Sequence, residues 1–199
     1  MNLPNRLTLL RILLIPVILL FLIPLPDWPS CQPWNEFIAT TGRLIAFLLF
    51  AIASITDLVD GQIARKRNLV TTLGQFLDPI ADKMLVVSVL IALVQLGRVH
   101  ALVTIIVIIR EFVITGIRLI AAEQGLVIAA GNLGKAKTVS QILAILLILI
   151  EDHLALLTSP YLDGALIKGA ADVLLYISVI LTLWSGVDYL LSNRSLLKS

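Results

Sequence analysis

Apolar runs follow one another along the chain, at residues 7–25, 37–56, 79–96, 102–121, 140–150 and 170–191. A helix needs roughly 20 mostly apolar residues to cross the hydrocarbon core of a bilayer, and most of these runs approach that length with few charges. The fifth run is short, and its helix is expected to begin earlier, around Gly134, where polar residues face a bundle interior instead of lipid. The expected fold is therefore all-α, a polytopic membrane protein of six transmembrane helices forming one membrane domain over residues 1–199. No internal repeat or low-complexity tract interrupts the pattern.

Composition agrees with lipid as the solvent. The chain is 59% hydrophobic and 14% charged, with a mean hydropathy of +1.02, which a water-soluble domain of this size would not carry on its surface. The net charge of +2 says little, but its placement orients the spans. Segment 24–35 holds four prolines and no Lys or Arg, as expected of an outer loop. Arg65, Lys66, Arg67, Lys135, Lys137, Arg194 and Lys198 fall on the opposite side, which puts both termini in the cytoplasm. Arg43, Arg98 and Lys168 do not fit that arrangement. The first run follows Arg6 and contains Arg11, and no small-residue cleavage pattern follows it, so it is expected to be retained. With no transit-like leader, a bacterial inner membrane is the expected location, and no nucleic-acid partner is expected. Cys31 is the sole cysteine, which excludes an internal disulfide and a Cys-rich metal site.

Packing does not account for one stretch. Asp57, Asp60, Asp78 and Asp82 sit at the ends of apolar runs, the first pair three apart and the second four apart, so each pair shares a helical face. The connection between the pairs is short and basic, which suits two antiparallel neighbours whose cytoplasmic ends meet. An Asp at membrane depth costs about 2.5–3.5 kcal/mol, so the group must be compensated. Only Arg65 and Lys83 lie within one turn of these faces. One or two divalent cations are the simpler compensation, and oxygen-only ligands favour Mg²⁺ or Mn²⁺ over zinc. An ion-coupled transporter would also bury carboxylates, but it would spread them across membrane depth and show symmetric halves. A prenyl transferase with acidic metal motifs would leave the Gly-x-x-Ala-Arg element without a purpose.

The pattern D-x-x-D-G-x-x-A-R, eight residues, G-x-x-x-D-x-x-x-D is met by Asp57, Asp60, Gly61, Ala64, Arg65, Gly74, Asp78 and Asp82. It resembles the signature of the CDP-alcohol phosphatidyltransferase family. The likeness continues in Asn2, Pro4, Asn5, Arg6, Thr8 and Arg11, in Arg110, Glu111, Thr115 and Arg118, and in Gly134, Lys135, Lys137, Thr138 and Gln141. These further segments are similar to the branch that takes CDP-diacylglycerol as donor and sn-glycerol 3-phosphate as acceptor. The resemblance implies six transmembrane helices, a cytoplasmic-side cavity open laterally to membrane lipid, a homodimer and two metal ions. Carried onto this sequence, Asp57, Asp60 and Asp78 would hold metal, and Asp82 would serve both metal and base roles. Asp57, Gly61, Ala64, Arg65 and Gly74 would form the cytidine diphosphate site. Other branches use inositol phosphate, serine, phosphatidylglycerol or an amino alcohol as acceptor.

An acceptor phosphate wants fixed cations, and Arg110, Arg118, Lys135 and Lys137 are the candidates. Lys135, Lys137 and Arg118 can also be read as charge anchors at the membrane surface. Arg110 lies mid-run, where the alternative is an ion pair with Glu111 or another buried acid. Adjacent helix positions point about 100° apart, which favours a partner elsewhere. His100 and His153 are expected toward the outer side, with no part in the chemistry.

Overall fold

The computed structural model describes residues 3–67, 72–126, 131–159 and 161–194, and of residues 3–7, 57–67, 72–80, 82 and 123 the backbone only. The helices are α1 (Leu3–Leu22), α2 (Gln32–Phe37), α3 (Arg43–Arg67), α4 (Thr72–Gln95), α5 (Ala101–Glu123), α6 (Asn132–Thr158) and α7 (Gly164–Ser192). A π-helical turn, Ile38–Gly42, joins α2 to α3, so these two run on as one rod. The six rods match the six expected spans. Three stretches, Gln32–Thr56, Asn132–Thr158 and Gly164–Ser192, are long and apolar enough to cross a membrane by length and composition alone. Thr8–Leu22 and Lys83–Gln95 are shorter apolar stretches, and α5 is interrupted by Arg110, Glu111 and Arg118.

Several helices overrun their apolar cores toward polar ends. The fifth rod begins at Asn132, ahead of the expected Gly134, and its added turns carry the buried Lys137 and Gln141. Helix α3 extends to Arg67 and α4 starts at Thr72, so both aspartate pairs lie on regular helix.

Helix contacts close into a ring in the order α1, α3, α6, α7, α5, α4 and back to α1, with α4 also touching α6 across it. The core inside the ring is built from residues such as Ile18, Phe50, Leu93, Ile145 and Ile148, all fully buried. This corrects one expectation. Among the described residues α3 and α4 are not packed neighbours; α1 lies against both. Residues 68–71 nevertheless tie their ends together, since five Cα steps reach at most roughly 19 Å. The hairpin is therefore joined at its tip and opened around α1.

One end of the ring carries the proline-rich loop, and there the three misfit cations find their explanation. Helix α4 ends in a Schellman turn at Gly97, whose φ of +68° suits glycine; Gly97 N donates to Val94 O and Arg98 N to Leu93 O, at 3.0 and 2.9 Å. The turn aims Arg98 at two other helices. Its Nη2 donates to Glu151 Oε2 of α6 at 2.8 Å and its Nη1 to Asp172 Oδ1 of α7 at 2.6 Å. Beside it Asp152 of α6 pairs with Arg43 of α3 and, at 3.3 Å, with Lys168 of α7. Each cation that departs from the charge-placement rule is thus answered by a carboxylate at the same end. The hydrogen bond to Glu151, with a further one to Asp172, raises the pKa of Arg98 above its ordinary value despite partial burial. The sign is that of a group whose folded pKa is raised: its contribution is complete below the ordinary arginine pKa and fades only above it.

His100 and His153 lie at this end, with the proline-rich loop. His100 caps α5, its Nδ1 accepting from Leu102 N at 3.2 Å. Cys31 is a free, partly exposed residue in the loop.

Glu151 is fully buried, so Arg98→Ala would strand its charge. A loss of about 3 kcal/mol is expected, read as a lowered unfolding temperature in detergent, whereas Lys168→Ala, half-exposed, should cost under about 1 kcal/mol. Equal effects would show that Arg98 does not clamp the ring.

Candidate active site

The opposite, basic end gathers the residues singled out from the sequence. On α3, Ala46, Phe50 and Ala53 are buried at a spacing that keeps them on one face. Positions 57 and 60 continue that stripe toward the helix end. On α4, positions 78 and 82 share a helical arc with Ala81 and Leu85, both buried. The backbone therefore puts all four aspartate positions on the core-facing stripes of two helices joined at their tip. The side chains of Asp57, Asp60, Ala64, Arg65, Asp78 and Asp82 lie outside the described residues, as do any contacts of Gly61 and Gly74. Among the described residues no group of three or more His, Cys, Asp or Glu could hold a metal.

The second group is resolved in detail. Arg110 and Glu111 of α5 meet Lys137 of α6 and Ser185 of α7. Arg110 Nη1 donates to Glu111 Oε1 at 3.0 Å, and Lys137 Nζ donates to the same oxygen. Arg110 Nη2 donates to Ser185 Oγ at 2.9 Å. Lys83, next in sequence to Asp82, lies within electrostatic reach of Glu111 and Lys137. That ties the aspartate-bearing stretch of α4 to this cluster. Buried Lys137 and partly buried Arg110 share one carboxylate, which leaves this trio positive, and Arg110 Nε is a buried donor with no partner among the described residues.

The four expected phosphate ligands do not all take part. Lys137 is only 4% exposed and ion-paired, which rules out a surface-anchor reading for it. Lys135, two residues earlier, is exposed and stands outside the ion-pair cluster. Arg118 is exposed, and its guanidinium carbon lies 5.7 Å from the centre of the Tyr189 ring. Arg110 corrects the expectation that its partner is not Glu111. The Cβ directions of neighbouring positions diverge, but both side chains are long enough for the Arg110 guanidinium to reach the Glu111 carboxylate, where Lys137 of α6 also arrives.

Helix α7 supplies residues that were not anticipated. Ser178, Thr182 and Ser185 form a buried polar stripe spaced four and three apart. Their hydroxyls donate to backbone carbonyls of their own helix, Ser178 to Leu175 O, Thr182 to Ser178 O and Ser185 to Thr182 O. The spacing was visible in the last apolar run, but such stripes also serve simple close packing, so it did not point to a site.

The profile of the family described as CDP-alcohol phosphatidyltransferase matches residues 1–184. The chain is 43% identical over 199 residues to the CDP-diacylglycerol–glycerol-3-phosphate 3-phosphatidyltransferase of Bacillus subtilis (strain 168), covering 100% of this chain and 98% of the relative. A protein of the same name from Rickettsia bellii is 38% identical over 189 residues, 94% of this chain and 93% of its own. Another from Haemophilus influenzae is 37% identical over 194 residues, 95% of this chain and 91% of its own.

The ion-pair geometry makes an asymmetric prediction. Glu111→Gln leaves buried Lys137 facing partly buried Arg110 and should cost about 3 kcal/mol, while Lys137→Met leaves Glu111 with Arg110 and should cost clearly less. Thermal unfolding of both variants in detergent checks this; the reverse order would mean that Lys137 alone answers the carboxylate.

Proposed function

The chain belongs to the CDP-alcohol phosphatidyltransferase family, and on that footing we propose that it transfers a phosphatidyl group from CDP-diacylglycerol to sn-glycerol 3-phosphate, releasing CMP. The observation that carries the choice of acceptor is the pair of partly buried Arg110 and buried Lys137 around Glu111, net positive among the described residues, where Arg110 Nε has no partner. A neutral amino alcohol would leave that charge without a function. A phosphorylated acceptor gives it one, because guanidinium and ammonium donors match phosphate oxygens in charge and geometry. Arg118 adds a third cation at the same end. Lys135, exposed beside Lys137, is kept as an outlying member of the phosphate site.

Asp57, Asp60, Asp78 and Asp82 are the residues that would hold Mg²⁺ or Mn²⁺, two ions in this proposal. Their register fits: four carboxylate positions on core-facing stripes, all oxygen donors, on helices tied by a four-residue connection. When bound, the ions would neutralise charge on the donor's diphosphate. The chain itself does the rest. Asp57, Gly61, Ala64, Arg65 and Gly74 form the cytidine diphosphate site, and the two glycines let the nucleotide approach the helix backbone. Asp82 accepts the proton of the attacking hydroxyl as its oxygen bonds to the phosphorus bearing diacylglycerol. The bond from that phosphorus to CMP breaks, and CMP leaves with the electron pair. Positioning and charge carry such a transfer without a covalent enzyme intermediate.

The site is assigned to the cytoplasmic face of a bacterial cell membrane, because Arg194, Lys135 and the 65–67 basic run share its end of the ring. The homodimer implied by the family resemblance is retained in this reading.

Asp82→Asn is expected to abolish turnover while CDP-diacylglycerol still binds with metal present; substantial residual turnover would remove Asp82 as base. Purified protein given labelled CDP-diacylglycerol and a panel of acceptors should use glycerol 3-phosphate and stop when chelated. Arg118→Ala should raise the acceptor KM about fivefold with little change in the donor KM. Comparable turnover with an uncharged alcohol would overturn the assignment.

A further inference from the structure

We propose that Ser185 and Tyr189 of α7 are positioning residues for the acceptor phosphate, holding Arg110 and Arg118 of α5 in their working orientations. The inference rests on the phosphate reading of the basic cluster given above. It adds a helix that no part of that reading uses.

Helices α5 and α7 pack against each other and both run from the proline-rich end to the basic end. Two contacts join them in the same chain order, Arg110 to Ser185 and Arg118 to Tyr189. The first contact is directional. Ser185 is only 4% exposed, and its hydroxyl hydrogen is committed to Thr182 O at 3.2 Å, so it offers Arg110 Nη2 a lone pair at 2.9 Å. The next residue, Gly186, completes the seat. A Cβ built there would lie 3.3 Å from Arg110 Cγ, so a side chain would press on the arginine stem.

The second contact is made by a ring face. The Arg118 guanidinium lies over Tyr189, while the Tyr189 hydroxyl is buried and has no hydrogen-bond partner among the described residues. The ring, not the hydroxyl, is therefore what holds Arg118. A long exposed arginine without such a platform samples many rotamers, and ordering it would draw on the binding free energy of the acceptor. Ser185 and Tyr189 are one helical turn apart, so a single rigid helix orders both cations in advance.

A purely structural role for the stripe predicts something else. Loss of packing would lower the folded fraction and the apparent kcat, with neither KM singled out.

The test is steady-state kinetics of the full chain in lipid–detergent micelles, with each substrate varied in turn. Ser185→Ala should raise the glycerol 3-phosphate KM about tenfold, and Tyr189→Leu about fivefold, with the CDP-diacylglycerol KM within about twofold of the parent. Tyr189→Phe, which keeps the ring face, should recover most of the Tyr189→Leu loss. The double variant Tyr189→Leu/Arg118→Ala should be no worse than Arg118→Ala alone, since both remove the same contact. If Arg118→Ala raises the acceptor KM while Ser185→Ala and Tyr189→Leu do not, the positioning role is overturned and the phosphate reading stands. If Arg118→Ala and Lys137→Ala also leave that KM unmoved, both are overturned. Should Tyr189→Leu fail to fold, Ser185→Ala, which deletes one oxygen, decides the matter alone.

Discussion

Glu151 at one end of the ring and Glu111 at the other are both held by cations that reach them from the chain around them, and much of the architecture follows from that. A carboxylate taken out of water is tolerated only where an opposite charge and hydrogen bonds replace its hydration. Glu151 on α6 is answered by Arg98 from the turn after α4, which also binds Asp172 of α7. Glu111 on α5 is answered by its neighbour Arg110 and by Lys137 of α6. Lipid tails supply no hydrophobic drive between helices, so such polar ties join the contacts of packed side chains in choosing neighbours. The two ends differ in balance. At the proline-rich end carboxylates and cations offset each other, whereas among the described residues around Glu111 the cations outnumber the acid, and the surplus is what an anionic substrate would meet.

Much of this was legible from the chain before any coordinates. The apolar runs revealed six rods because the bilayer imposes a length, and the fifth rod's hidden start was recoverable from the polar residues that precede it. The acidic pattern pointed to its own helices, whose backbone register now agrees with it. Less legible was the tertiary order. Nothing in a one-dimensional pattern says that α1 separates α3 from α4, because both would bury the same kind of stripe against either neighbour. Arg43, Arg98 and Lys168 looked like exceptions to charge placement for a related reason: their partners lie on other helices, Asp152 for Arg43 and Lys168, and Glu151 with Asp172 for Arg98. The misjudged Arg110–Glu111 pair shows the limit of helical-wheel reasoning for long side chains, which reach around the helix that bears them.

The proposed chemistry divides between two kinds of site. The donor end is a set of carboxylate positions on regular helix, close to the helix tips and joined by a short basic connection. The acceptor site is a pair of ion pairs between α5 and α6, tied to α7 by the Ser185 hydrogen bond and the Tyr189 ring, with Lys83 of α4 in electrostatic reach. Rigid helices suit both tasks, because a reacting phosphorus and an incoming hydroxyl must be held in line.

The ring also sets an order of assembly. Helix α1 precedes α3 and α4 in the chain, yet it finishes packed against both, so α3 and α4 must receive it between them instead of zipping together. Until α6 arrives, the partial bundle lacks Glu151 for Arg98, and Glu111 has only its neighbour Arg110 and not Lys137. Helix α6 therefore carries a charge partner to each end of the ring, and α7 adds Asp172 at one of them, which gives this C-terminal stretch a large share in fixing the final topology.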